Sequence, residues 1–192
     1  MAEDLFFCHF CVILFVVIYV ENKLSVRKSL RIEAYDYSTP GAYFITFCTQ
    51  NRKQTLSQIV GAIHESPEPQ LTTCGKIVDA VIQNIPEHLS VTIDRYVIMP
   101  NHVHLIAIIH EENAMRITQR LPQQGRSIIS KVVGYIKMNA SKAIRQHYGD
   151  IAVWQRGYHD HVIRNREDYE MLSKYIIENP LRWELDKLYL EE

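Results

Sequence analysis

The 192-residue chain is short of cysteine, with four, and of glycine and proline, with seven each. Four scattered cysteines cannot make the framework of a disulfide-stapled secreted fold, so they read as reduced thiols of a cytoplasmic protein. Cys8 and Cys11 form a Cys-x-x-Cys, but no second pair completes a zinc site and their neighbours are apolar. Scarce glycine and proline, with 47% apolar and 22% charged residues, exclude a low-complexity or extensively disordered chain. The length fits one domain with a sizeable core. Excess charge is missing too. The formal net charge is −1, which alone argues neither for nor against a nucleic-acid partner. Its distribution is uneven: Asn113 to Gly149 holds seven basic residues and no acidic ones, while acidic residues gather from Glu167 to Glu192.

A membrane-length apolar run is also absent. Leu5 to Val20 is sixteen mostly apolar residues, fewer than the roughly 20 needed to span a bilayer. Glu3 and Asp4 precede it where a signal peptide carries basic residues, and no small-residue cleavage site follows. Residues 1–24 are therefore set apart as a hydrophobic extension, residues 25–192 are expected to form the functional domain, and no membrane partner is expected.

The remaining chain alternates strand and helix signals. A turn signal runs from Tyr35 to Gly41, and Ala42 to Thr49, rich in β-branched and aromatic residues, is expected to be the first strand. Residues 57–73, with Pro67 and Pro69, read as a loop. Thr73 to His88 carries an apolar face of Ile77, Val78, Val81, Ile82 and Ile85 and reads as a helix. Val91–Met99 and His102–His110 are strands separated only by Pro100-Asn101, so they are expected to pair as antiparallel neighbours. A polar loop over Glu111–Gly125 leads to a long helix, Ser127–His147, with an apolar stripe of Ile129, Val132, Val133, Ile136, Ala140, Ala143 and Ile144. A short extended piece, His161–Arg164, precedes a last helix, Arg166–Glu178, which Pro180 ends. The order β-α-β-β-α-(β)-α predicts an α+β fold: a ferredoxin-like, split βαβ antiparallel sheet with helices packed on it and one helix added.

Within this frame, His102-Val103-His104 carries the strongest chemical signal. Side chains on a strand repeat every two residues, so both imidazoles share a face while Val103 and Leu105 point away. Two such imidazoles hold one divalent ion if another element supplies a further ligand; otherwise they are polar residues hydrogen-bonded at a strand end. Tyr175 and Asn179 lie four apart on the last helix and share a face. A tyrosine beside a bound cation can attack a phosphodiester and conserve the bond covalently, and Asn179 offers a carbonyl oxygen to complete a His, His, Asn site. With eleven tyrosines in the chain, a core role is the default for any one of them.

Tyr96-Val97-Ile98-Met99-Pro100-Asn101-His102-Val103-His104-Leu105-Ile106 resembles the His-hydrophobic-His (HUH) motif of the single-tyrosine transposases, most of all the REP-associated tyrosine transposases and their transposase-like relatives. Tyr35–Thr46, Thr49–Arg52, Trp154–Tyr158 with His161–Asn165, and Tyr175–Pro180 fit the same branch, so the resemblance covers about residues 25–185. It implies Mg²⁺ or Mn²⁺ held by His102, His104 and Asn179. It also implies Tyr175 as a nucleophile that cleaves single-stranded DNA beside a hairpin and leaves a 5′-phosphotyrosine, with a 3′-OH later resolving the adduct. Single-stranded or hairpin DNA is the implied partner, and relatives occur as monomers and as homodimers. A second pair, His159-Asp160-His161, has an acidic middle residue; His161 matches the branch and His159 falls outside the pattern.

DNA cutting requires phosphates to be neutralised. Candidates are Arg52 and Lys53 after the first strand, Lys131, Lys142 and Arg145 on the polar side of the long helix, and Arg156 and Arg164. Trp154 and Tyr158 are candidates to stack on unpaired bases. Two other functions fit the same residues. One is a catalytically silent DNA-hairpin-binding protein. The other is a His-x-His hydrolase using activated water, which needs a carboxylate base such as Asp94.

Overall fold

The first strand, β1 (Gly41–Cys48), joins with β4 (Val91–Ile98), β5 (His102–Ile109) and β6 (His159–Ile163) in one sheet of order β4-β5-β1-β6. All three pairings are antiparallel. This computed structural model describes residues 39–61, 67–86, 89, 91–110 and 127–190. The extension over residues 1–24, the turn signal at Tyr35–Tyr37 and the polar loop over Glu111–Gly125 lie outside them.

Helix α1 (Thr73–Gln83) carries the chain from β1 to β4, leaving a gap that β5 fills; α2 (Ile128–Tyr148) carries it from β5 to β6, around β1. That is the expected split βαβ arrangement. Helix α3 (Arg166–Glu178) and a 3₁₀ segment, Pro180–Leu185, complete the order. Each α-helix starts at a side-chain cap: Thr72 accepts from Gly75 N, Ser127 from Ser130 N and Asn165 from Asp168 N, which satisfies amides with no partner inside the helix. Helix α1 ends at Gln83, short of the expected His88, because Asn84 turns its backbone and side-chain N–H groups onto Ala80 O and Pro86 cannot continue a helix.

One segment departs from expectation. Residues 57–73 are not simply a loop: Ser57–Val60 (β2) and Glu68–Leu71 (β3) pair as an antiparallel ribbon. Pro69 sits opposite Ile59 in this two-stranded ribbon, where every strand is an edge and a missing N–H is tolerated. The ribbon is tied down by Leu56, whose N–H donates to Pro100 O and whose carbonyl accepts from the Thr72 amide and hydroxyl. Gly75 packs so closely on that carbonyl that a Cβ would lie 2.0 Å from it, so only glycine fits this turn of α1.

The sheet is covered on both faces. Tyr43, Ile45 and Phe47 of β1 and Val103, Leu105, Ala107 and Ile109 of β5 pack against Val78 and Ile82 of α1 and the apolar stripe of α2. On the other face Ile106, Val97 and Met99 meet Ile176 of α3 and Trp183. Strand β5 is therefore buried almost throughout, as a central strand between two layers must be. Among the described residues no helix is long and apolar enough to cross a membrane. Cys48 and Cys74 are free thiols; Cys8 and Cys11 lie outside the described residues.

Candidate active site

The two-residue period of β5 puts His102 and His104 on the α3 face, with ring centroids 4.4 Å apart and both side chains buried. The tight Pro100-Asn101 turn is held to the end of β1, because Asn101 O accepts from the Thr49 amide and hydroxyl at 2.9 and 3.0 Å. Asn101 is itself fully buried. Its Oδ1 accepts from His102 Nδ1 at 2.8 Å, and its Nδ2 donates to Leu188 O at 2.6 Å. A neutral imidazole donating from Nδ1 presents a lone pair at Nε2. His104 Nδ1 lies 2.7 Å from Thr46 Oγ1, its direct cross-strand neighbour, which turns Nε2 into the same space. Phe44 stacks on the His104 ring at 5.2 Å, and Trp183 packs against His102.

Helix α3 brings Tyr175 and Asn179 over these rings. Tyr175 Oη is 3.5 Å from His104 Nε2 and 3.2 Å from Asp186 Oδ2. The phenol has one proton, and the shorter contact directs it to Asp186. Although its hydroxyl faces inward, Tyr175 is 40% exposed, so an extended ligand can reach it. Asn179 is buried at the end of α3; its Nδ2 donates to Asp186 Oδ2 at 2.9 Å.

Electrostatics favour neutral imidazoles here. Burial pushes His102 down to about 3; Asn179 works against this and the Arg52 charge adds to it. His104 is held well below the usual histidine range by burial and then by His102. Tyr175 is raised above the ordinary phenol range by burial and by the Asp186 charge.

The residues fit a divalent cation. His102 Nε2 and Asn179 Oδ1 are both buried without a hydrogen-bond partner, which is costly unless something electropositive lies between them. Ligand atoms of His102, His104 and Asp186 lie within 4.8 Å of one another. Asp186 was not a candidate on sequence grounds. It lies beyond the proline that ends α3, one carboxylate among 22, and only the chain reversal over Pro180–Leu185 returns it to the histidines.

The basic candidates separate. Arg52 and Lys53 follow β1 at the histidine end of the sheet, and Arg52 donates to Lys187 O. The segment that carries Arg156 lies beside the end of β1, because Gln50 N bonds Val153 O and Gln155 N bonds Cys48 O, and Lys137 donates to the carbonyls of Gln155 and Gly157. Arg164 stands at the opposite end, next to Ile163, which pairs with Ala42. Lys131, Lys142 and Arg145 belong to α2 and so to the other face of the sheet; Lys142 and Arg145 line an open groove of about 720 Å³ with Lys137 and Trp154. Arg145 is also paired with Asp150. Trp154 and Tyr158 pack on the α2-side core, Trp154 edge-on to Phe47 and Tyr158 against Ser130. The second histidine pair is not part of the cluster. His159 and His161 sit opposite Thr46 and Phe44 on β6, and His161 bonds Asp168 of α3 at 2.9 Å. Asp94 is engaged by Tyr169 and Arg95 rather than by either histidine.

A tyrosine helix laid over paired imidazoles on a split βαβ sheet places the chain in the single-tyrosine, His-hydrophobic-His class. The family model described as "Transposase IS200 like" matches residues 39–179; the chain belongs to that family. An uncharacterized protein of Haemophilus influenzae is 36% identical over 175 residues, 86% of this chain and 94% of the relative. A second protein of that organism, provisionally named a REP-associated tyrosine transposase, is 27% identical over 150 residues, covering 77% of this chain and 74% of the relative. In fold, the chain is similar to a REP-associated tyrosine transposase solved bound to a REP hairpin, with a TM-score of 0.55, 23% identity, and coverage of 82% of this chain and 77% of that one.

Proposed function

We propose that the chain is a divalent-metal-dependent endonuclease and strand transferase acting on single-stranded or hairpin DNA through a 5′-phosphotyrosine. One observation carries this reading: the unpartnered His102 Nε2 and Asn179 Oδ1 converge with His104 beside the hydroxyl of Tyr175. His102, His104 and Asn179 would hold Mg²⁺ or Mn²⁺, which when bound polarises a phosphoryl oxygen and offsets charge on the departing oxygen. Thr46 and Asn101 keep the imidazole lone pairs aimed inward. Tyr175 Oη attacks phosphorus, the bond from phosphorus to the 3′ oxygen breaks, and the phenolic proton ends on that oxygen. Attack by a 3′-OH on the phosphotyrosine reverses these changes and restores the phenol. Arg52, Lys53 and Arg156 would neutralise the phosphates of the strand being cut. Lys131, Lys142, Arg145 and Arg164 stand away from the histidines and would serve a flanking hairpin stem.

The test is to incubate the full chain and its Tyr175→Phe variant with labelled hairpin-containing single strands and Mn²⁺, then separate the products on a denaturing gel. A metal-dependent covalent band that the variant lacks is the expected result. Cleavage without a band in both proteins would replace this reading with a water-using hydrolase. Binding without cleavage across a varied hairpin library would replace it with a silent binding protein.

A further inference from the structure

Among the described residues, Asp186 forms no ion pair with a lysine or arginine. It is half-buried, its Oδ2 accepts from the Tyr175 hydroxyl and the Asn179 amide, and its carboxylate lies within 4.8 Å of ligand atoms of His102 and His104. The carboxylate thus joins two buried atoms, His102 Nε2 and Asn179 Oδ1, that have no hydrogen-bond partner, an arrangement that is costly unless a cation lies among them. We propose that Asp186 is itself a ligand of the cation, the one anionic donor in a set of His102, His104, Asn179 and Asp186. This rests on the reading of the site as a metal centre given above.

The backbone supports the assignment. Pro180 ends α3, the 3₁₀ segment reverses the chain, and the Asp186 amide donates to Trp183 O. Asp186 Oδ1 accepts from Leu188 N at 2.7 Å, which fixes the carboxylate and leaves Oδ2 toward Tyr175 and Asn179. The segment is then fastened at the histidine end, where Leu188 O accepts from Asn101 Nδ2 and Lys187 O from Arg52. Asn101 thus sets the tautomer of His102 and secures the segment that carries the carboxylate. The donor chemistry agrees: Mg²⁺ and Mn²⁺ favour carboxylate oxygen, whereas two imidazoles and an amide supply only neutral donors. Hydrogen bonding alone would explain the contacts with Tyr175 and Asn179, but not the gathering of a carboxylate with the histidine ligand atoms beside two buried atoms that have no hydrogen-bond partner.

The experiment measures Mn²⁺ binding to the full chain by calorimetry for the wild type, Asp186→Asn and His102→Ala. In parallel, electron–nuclear double resonance is recorded on the Mn²⁺ complex of wild-type chain labelled with ¹³C at aspartate carboxylates. Asp186→Asn, which keeps the shape and can still accept from Tyr175, is expected to bind Mn²⁺ at least tenfold more weakly, and the wild type is expected to show a ¹³C coupling. Affinity within twofold of wild type with no ¹³C coupling would overturn the proposal and leave the His, His, Asn site standing. Undiminished binding by His102→Ala would put the ion elsewhere and overturn both readings. If Asp186→Asn does not fold, the ¹³C signal of the wild type decides.

Discussion

The two faces of the sheet are built from alternate residues of the same strands and do different work. Toward α1 and α2, Tyr43, Ile45, Phe47, Val103, Leu105 and Ile109 join the α2 stripe in a buried apolar cluster. Toward α3, the residues between them include Thr46, His102 and His104, with Asn101 in the turn and Asn179 above, all buried and polar, alongside the apolar Phe44 and Ile106. Each buried polar group costs stability unless it is satisfied, and one atom on each of two of these, His102 Nε2 and Asn179 Oδ1, has no hydrogen-bond partner. The α3 face can therefore hold groups in costly positions because the opposite face supplies most of the hydrophobic stabilisation. Val103, lying between His102 and His104, belongs to the stabilising side, so chemistry and stability are one residue apart.

That division can be broken deliberately. The largest effect is expected from His104→Ala. Losing a metal ligand should slow adduct formation by about 10³-fold or more, roughly 4 kcal/mol in the barrier. Single-turnover gels measure this, and an unchanged rate would remove His104 from the chemistry. Phe47→Ala should do the reverse, costing about 3–5 kcal/mol of stability in urea unfolding while the folded protein forms adduct within about threefold of the wild-type rate. A collapse of activity in still-folded Phe47→Ala protein would show that the faces are not separable.

Acid should affect the α3 face selectively. His102 is neutral in the folded protein down to about pH 3, whereas an unfolded histidine takes up a proton near pH 6.5. Between those values the unfolded state binds more protons, so this contribution is fully present above about pH 6.5 and is lost as pH falls toward 3. The slope is at most about 1.4 kcal/mol per pH unit for this one group. Urea titrations from pH 7 to 4 should show a flatter dependence for His102→Gln; identical slopes would contradict the assignment. The smallest effect separates the basic residues. Arg52→Ala should lower the salt dependence of single-strand binding by about 0.7 in the log–log slope, while Lys142→Ala should alter binding only when a hairpin stem is present. Equal effects of Lys142→Ala on both DNAs would place the cut strand on the α2 face.

Much of this arrangement can be read from local pattern. The period of two puts His102 and His104 together, the spacing of four puts Tyr175 and Asn179 on one side of α3, and the α2 stripe identifies its buried face. Pro180 correctly marks the end of α3. The ribbon at 57–71 is less legible, since its prolines suggest a loop and its strands are held by contacts with Pro100 and Thr72 rather than by their own pattern.

By itself, then, the sequence determined the order of elements, the histidine pair and the tyrosine helix, because helix and strand periodicities are local properties of the chain. Tertiary structure alone decided which layer α2 occupies relative to the histidines, and hence that Lys131, Lys142 and Arg145 lie across the sheet from them. It alone set Thr46 against His104 through the register of β1 with β5. It alone carried Asp186 back to the histidines. These features depend on pairing between strands distant in sequence and on a reversal of the chain, and no periodicity along the chain encodes either.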